Sequence, residues 1–277
     1  MTAAIQALFR RTAKKTSSGF TLVELLVVIV IIILLFSTYL PSLKDSRGAA
    51  YQASCAQQLH KIGAAMNLFM ADNGGRYPYS SRTFANGGII DWTDLLGQSY
   101  DGRNLSQGEM NAQWLRYTVN KKHGNDIYRC PAETPEEKLR SINNGAPRDH
   151  FTVTYRINET RINGSWIDPT DGLPYGITAQ GADLAASQVM QPSRTMLLTE
   201  RRWINHPLGG NYSSVSRPSD QLEDQLANRG WTMLHGKGKK MNYLFADYHV
   251  ETHEPNKTFG TGLYDNPRGM WTRRIGD

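Results

Sequence analysis

Cysteine is scarce in this chain of 277 residues: Cys55 and Cys130 are the only two. They stand far apart, before Ala and Pro, with no histidine beside either. That excludes a local zinc motif and argues against a cysteine nucleophile. No G-x-S-x-G, Walker A or Rossmann glycine pattern occurs in a workable context, so the usual signatures of serine hydrolases and nucleotide enzymes are missing. Internal repeats and low-complexity tracts are also absent. Acidic residues are missing from positions 1–19, which carry Arg10, Arg11, Lys14 and Lys15. The formal charge of +6 owes much to that stretch. Of the 31 Lys and Arg, four lie there, so the other 258 residues hold 27 basic against 25 acidic residues, a net of +2. Such a balance leaves no basic surplus for phosphate contacts, and no nucleic-acid partner is expected.

What the chain has in abundance is one apolar run. Residues 20–40 read FTLVELLVVIVIIILLFSTYL, preceded by Gly19 and followed by Pro41. About 20 apolar residues suffice to cross a bilayer as a helix. Glu24 interrupts the run, and a carboxylate near a membrane centre costs roughly 2.5–3.5 kcal/mol, which marks it as a functional candidate. A secretory signal has a shorter apolar core followed by a small-residue cleavage site, and no convincing A-x-A follows this one. A plain anchor accounts for the run but for neither Gly19-Phe20 nor Glu24. The Arg10-Arg11 pair sits in a poor context for a twin-arginine signal. The positive charge of residues 1–19 holds them in the cytoplasm and sends the rest of the chain outward.

These residues resemble the type IV prepilin signal of pilins and of type II secretion pseudopilins. The resemblance implies cleavage after Gly19 by a dedicated prepilin peptidase, N-methylation of Phe20 by the same peptidase/methyltransferase, and an assembly role for Glu24, the fifth mature residue. It implies other pilin-like subunits as partners in a homo- or hetero-filament. It also implies an inner-membrane, single-pass location, with the leader cytoplasmic and the C-terminal domain periplasmic until assembly.

Beyond the membrane the helix is expected to continue to about Asp72. Cys55, Leu59, Ile62, Met66 and Phe69 recur at helical spacing on one face, a core stripe that predicts packing on a globular domain. Asp72-Asn73-Gly74-Gly75 supplies a stop. The helix would span about 75 Å, loosened near Pro41 and Gly48. Turn residues then become frequent. Phe151, Val153, Tyr155 and Ile157 alternate with polar residues and predict a half-buried strand. Residues 195–204 read as another strand. Met241–Phe245 and His249–Thr252 read as a hairpin around Ala246-Asp247-Tyr248. A long helix followed by antiparallel strands is an α+β pattern, pilin-like in the light of the resemblance. The expected organisation is a leader (1–19), an N-terminal helix (20–72, with 20–40 transmembrane and 41–72 packed on the domain) and an extracytoplasmic globular domain (73–277).

Four further segments, residues 55–78, 127–133, 192–200 and 234–251, resemble large prepilin-like proteins abundant in planctomycete-type bacteria. Those proteins are marked by a C-terminal His–Asp-Gly-His motif. Here His235 and Asp247 are separated by eleven residues instead of nine, and Tyr248 stands where the family has Gly. The biochemical role of that family is poorly defined, so the resemblance implies placement more than chemistry.

His235, Asp247, His249 and His253 are the residue types a metal or acid–base site needs. On a straight strand, however, His249 and His253 lie about 13 Å apart. A hydrogen-bonded structural hairpin is the reading adopted, with no metal and no cofactor. Asp168 and Asp171, in a Pro/Gly turn, read as turn chemistry rather than a calcium loop. Six Trp and thirteen Tyr are read as core filling rather than a sugar-stacking surface. In an oxidising compartment Cys55 and Cys130 form either one disulfide, stapling helix to domain, or two buried thiols. The expectation is a non-enzymatic, prepilin-like subunit of a type IV pilus-like filament or type II secretion pseudopilus. The alternatives are a membrane-tethered binding domain that never assembles and an anchored hydrolase using His235, Asp247 and His249.

Overall fold

The structure is a computed structural model, and it describes residues 19–85, 88–110, 126–132, 153–201, 214–215, 217–220, 235 and 239–274. The chain divides into two compact units, residues 1–45 and 46–277. A single helical assignment, α1 (Leu22–Asp72), runs across Pro41 and Gly48 without interruption. In the first unit its large apolar side chains, from Leu22 to Leu40, are all exposed. Ser37 and Thr38 turn their hydroxyls back to the carbonyls of Leu34 and Leu35, at 2.8 and 3.0 Å. Both hydroxyls are thereby satisfied within the helix, as an apolar surrounding requires. By length and composition this is a helix able to cross a membrane.

In the second unit the helical stripe is core: Cys55, Leu59, Ile62, Met66 and Phe69 are all buried. The helix ends where the sequence places the stop. Gly74 and Gly75 take φ of +64° and +73°, a left-handed backbone that suits glycine, and the Gly75 amide donates to the Met70 carbonyl.

The stripe packs on a five-stranded sheet of order β7-β3-β6-β8-β9. These strands are β3 (Tyr155–Asn158), β6 (Met196–Glu200), β7 (Ser214–Val215), β8 (Met241–Phe245) and β9 (Val250–His253). All neighbours are antiparallel except β3 with β7. Gly63 of α1 packs closely against the sheet. A Cβ there would lie 3.2 Å from Leu244 and 3.3 Å from the Tyr248 ring. Polar contacts fix the register. The Tyr155 hydroxyl donates to the Gln58 amide oxygen at 2.7 Å, Asn242 donates to the Gln52 carbonyl, and Gln52 donates to Thr252.

The expectation of a half-buried strand near residues 151–157 fails at β3, where all four residues are buried; Phe151 and Thr152 lie outside the described residues. The C-terminal segment covers the second face. There Met196, Val215, Met241, Tyr243, Phe245 and Trp271 form a second apolar cluster. Asn158, polar by sequence, survives burial because its amide donates to the Met196 and Trp271 carbonyls. Of the strand expected at 195–204, the structure gives Met196–Glu200, and residues 202–204 lie outside the described set.

Two small antiparallel ribbons flank the main sheet: β1 (Ser81–Thr83) with β2 (Ile89–Asp91), and β4 (Thr178–Ala179) with β5 (Ala182–Asp183). Short helices follow at α2 (Trp92–Gly97) and α3 (Gln107–Met110). Trp92 and Trp271 are fully buried, in keeping with core filling, whereas Trp166 is partly exposed with Arg161 over its ring at 4.5 Å. Trp114, Trp203 and Trp231 lie outside the described residues.

Candidate functional site

Gly19 and Phe20 precede the first helical residue in extended, exposed backbone. Thr21 caps the helix. Its amide and hydroxyl donate to the Glu24 carboxylate at 2.9 and 2.7 Å, and the Glu24 amide donates to the Thr21 hydroxyl at 3.2 Å. This reciprocal arrangement satisfies two amides that a helix start otherwise leaves bare. It also holds the carboxylate at the positive end of the helix. Thr21-x-x-Glu24 is a capping box whose signal, Thr three residues before Glu, is present in the sequence. Glu24 therefore has a structural partner in the isolated subunit and sits four residues beyond Phe20, whose amine cleavage after Gly19 would free.

Beneath the sheet, Cys55 of α1 and Cys130 are joined by a disulfide across 75 residues, with Cα atoms 5.1 Å apart. Both are buried. The Cys130 amide donates to the Thr154 hydroxyl at 3.2 Å, which aligns the cysteine segment with the start of β3. Against this disulfide the fold places His235 and Glu200. His235 Nε2 lies 3.0 Å from Glu200 Oε1 and 3.7 Å from Cys130 Sγ. Both side chains are wholly inaccessible. Glu200 also accepts from the Asn242 amide at 2.7 Å and its side-chain nitrogen at 3.0 Å. His235 Nδ1 is buried with no hydrogen-bond partner among the described residues. Ligand atoms of Cys55, Cys130, Glu200 and His235 all lie within 4.8 Å of one another.

The histidine–aspartate grouping expected from sequence is thus divided. The carboxylate facing His235 is Glu200 rather than Asp247, because His235 pairs with Lys240 ahead of β8 and enters the sheet from below. Asp247 and His249 stay at the exposed hairpin turn, where His249 Nδ1 meets Asp247 Oδ1 at 2.5 Å. His249 stacks on Phe245 at 4.4 Å. His253 Nε2 and His249 Nε2 both approach the Glu251 carboxylate, at 2.7 and 3.4 Å. Tyr248 adopts φ +71°. Its amide donates to the Phe245 carbonyl, and the Phe245 amide donates to the His249 carbonyl, closing the turn. The tyrosine thus takes the left-handed backbone that a glycine adopts without strain. Its ring packs against Gly63, and its hydroxyl meets Met70 Sδ at 3.0 Å.

Asp168 and Asp171 face arginines. Arg273 reaches Asp171 at 2.6 Å, and Arg274 reaches Asp171 and Asp168 at 2.7 and 3.1 Å. Desolvation pushes the Asp171 carboxyl up, but hydrogen bonds from Arg274 and Arg273 outweigh it and bring it to about 2. The turn is a clasp for the C-terminal segment. Residues of the clasp lie about a hundred positions apart, which is why the two aspartates alone look like turn chemistry.

A second buried knot lies beside α2. Asp91 caps the helix through the Thr93 and Asp94 amides, and the Asp91 amide donates in return to Asp94. Arg103 bonds the Asp101 carboxylate at 2.5 Å and the Thr93 carbonyl, and the Tyr128 hydroxyl donates to Asp101 at 2.6 Å. Burial, and then Asp91, hold the Asp94 carboxyl well above its ordinary value. Every contact named here is a cap, an ion pair or a hydrogen bond within the knot.

Compared with known families, the chain matches the prokaryotic N-terminal methylation motif over residues 14–39. The N-terminus is of prepilin type, the substrate of a prepilin peptidase, and with its apolar helix it fits a membrane-anchored protein. No curated protein matches the chain. No solved structure matches it either.

Proposed function

We propose that the chain is a structural subunit of a type IV pilus-like filament or type II secretion pseudopilus, cut after Gly19, N-methylated at Phe20, and not an enzyme. The observation that carries this reading is the methylation motif at residues 14–39 on a helix whose apolar side chains from Leu22 to Leu40 are all exposed. An unpartnered apolar surface of that extent is suited first to lipid and then to the same surface of neighbouring subunits. The leader stays cytoplasmic and the C-terminal domain lies in the periplasm.

In assembly, Glu24 of one subunit meets the freed Phe20 amine of the next. Each charge alone is costly in an apolar filament core, and pairing offsets that cost. The Thr21 cap keeps the carboxylate at the helix end until the exchange. Placement of the C-terminal domain with the large prepilin-like proteins of the His–Asp-Gly-His hairpin is supported by Tyr248, which stands where that motif has glycine and takes a left-handed backbone.

Glu24→Ala tests the role. The variant is expected to be cut and membrane-bound but to enter filaments poorly in a sheared-fraction assay. Normal filament yield overturns the assembly role and favours an anchored domain that never assembles.

A further inference from the structure

We propose that, in its dithiol form, the cluster of Cys55, Cys130, Glu200 and His235 is a zinc site, so that one position in the fold holds a disulfide when oxidised and a divalent metal ion when reduced. Four potential ligands from four distant parts of the chain place one ligand atom each within a 4.8 Å sphere of mutual distances. All four residues are buried. Two thiolates, an imidazole and a carboxylate are a donor set that favours zinc, which binds sulfur at about 2.3 Å and nitrogen or oxygen at about 2.0–2.2 Å in a tetrahedron. The net charge with the ion, −1, equals that of a site of three cysteines and one histidine.

A disulfide by itself gives no reason for this surrounding. Its sulfurs are satisfied by apolar packing, whereas a wholly buried carboxylate and imidazole cost desolvation that must be offset. The fold nonetheless brings His235 from ahead of β8 to the Cys130 sulfur and Glu200 from the end of β6 to His235. Glu200 is further oriented by both nitrogens of Asn242, the kind of supporting hydrogen bond that fixes a metal ligand.

A thiol reductant attacks one sulfur, the S–S bond breaks, and a second reductant thiol resolves the mixed disulfide. The reductant leaves as its own disulfide and the protein holds two thiols. Zinc binding then displaces two protons to solvent, and the imidazole proton passes from Nε2 to Nδ1 as Nε2 takes the metal. Oxidation reverses this and expels the ion, since a bonded sulfur pair supplies no thiolate.

The test uses the full-length chain in detergent, reduced and oxidised, titrated anaerobically with zinc against a chromophoric chelator. A parallel titration with cobalt reads thiolate charge-transfer absorption. The expected result is one ion per reduced chain and none per oxidised chain. His235→Ala and, separately, Glu200→Gln should each weaken the reduced protein's affinity by about tenfold or more. If the reduced protein loses its fold without metal, zinc should restore its circular dichroism. Three results overturn the proposal: no uptake by the reduced wild type, equal uptake by both redox forms, or unchanged affinity in both variants. Failure of zinc to restore a fold lost on reduction also overturns it.

Discussion

At the scale of single residues, Arg156 stands out for what it lacks. It lies on β3 with its side chain fully buried, and among the described residues Nε, Nη1 and Nη2 have no hydrogen-bond partner. Burial, then the charge of Arg201, pull its pKa down to about 9, with Asp91 opposing them. An unpaired buried charge is costly, and an apolar side chain of similar length removes that cost. Arg156→Met should therefore raise the unfolding free energy by about 1–4 kcal/mol, read by chemical denaturation; a loss of stability contradicts this. Asp171 behaves oppositely. Its folded pKa lies below the unfolded value, so its contribution is present above about pH 4 and lost as pH falls toward 2. Partial exposure limits that contribution to about 1 kcal/mol. Asp171→Asn should be less stable than wild type near neutrality, with the gap closing between about pH 4 and 2. A constant gap across that range excludes the clasp as an acid-sensitive contact.

At the scale of elements, the second half of α1 is tied to the sheet by the apolar stripe, by Gln52 and Gln58, and by the disulfide. Closing a loop of 75 residues contributes about 4 kcal/mol in the chain-entropy model. The double variant Cys55→Ser/Cys130→Ser should lose stability on that order, read as a lower denaturation midpoint. An unchanged midpoint means that the staple adds nothing beyond packing. Periodicity made much of this element legible. The 4, 3, 4, 3 spacing from Cys55 to Phe69 marked the buried face, and Asn73-Gly74-Gly75 marked its end. The β8–β9 hairpin was legible for the same local reason. The burial of both faces of β3 was not, because Trp271, 113 residues from Asn158, supplies part of the cover. Nor was Glu200 legible as a partner of His235. It reads as the polar end of a strand, and its partners come from 35 and 42 residues further on. Thr21, by contrast, was visible three residues before Glu24 and needed only the capping rule.

At the scale of the whole molecule, two units carry two kinds of surface. Among the described residues of the second unit, 46–277, the buried apolar side chains gather in two clusters about one sheet. The helix start in residues 1–45 leaves its apolar side chains exposed along its length. A chain built this way needs a partner phase for its first unit, either a bilayer or a bundle of identical helices. In the proposed function the prepilin-type N-terminus links the two, because cleavage after Gly19 would convert a membrane anchor into a filament-forming helix with a free amine at Phe20. The most direct test of that link is the mass of the mature N-terminus, measured on protein extracted from native membranes. The account predicts a chain beginning at Phe20 with one added methyl group. A chain that keeps residues 1–19, or is cut elsewhere, contradicts it.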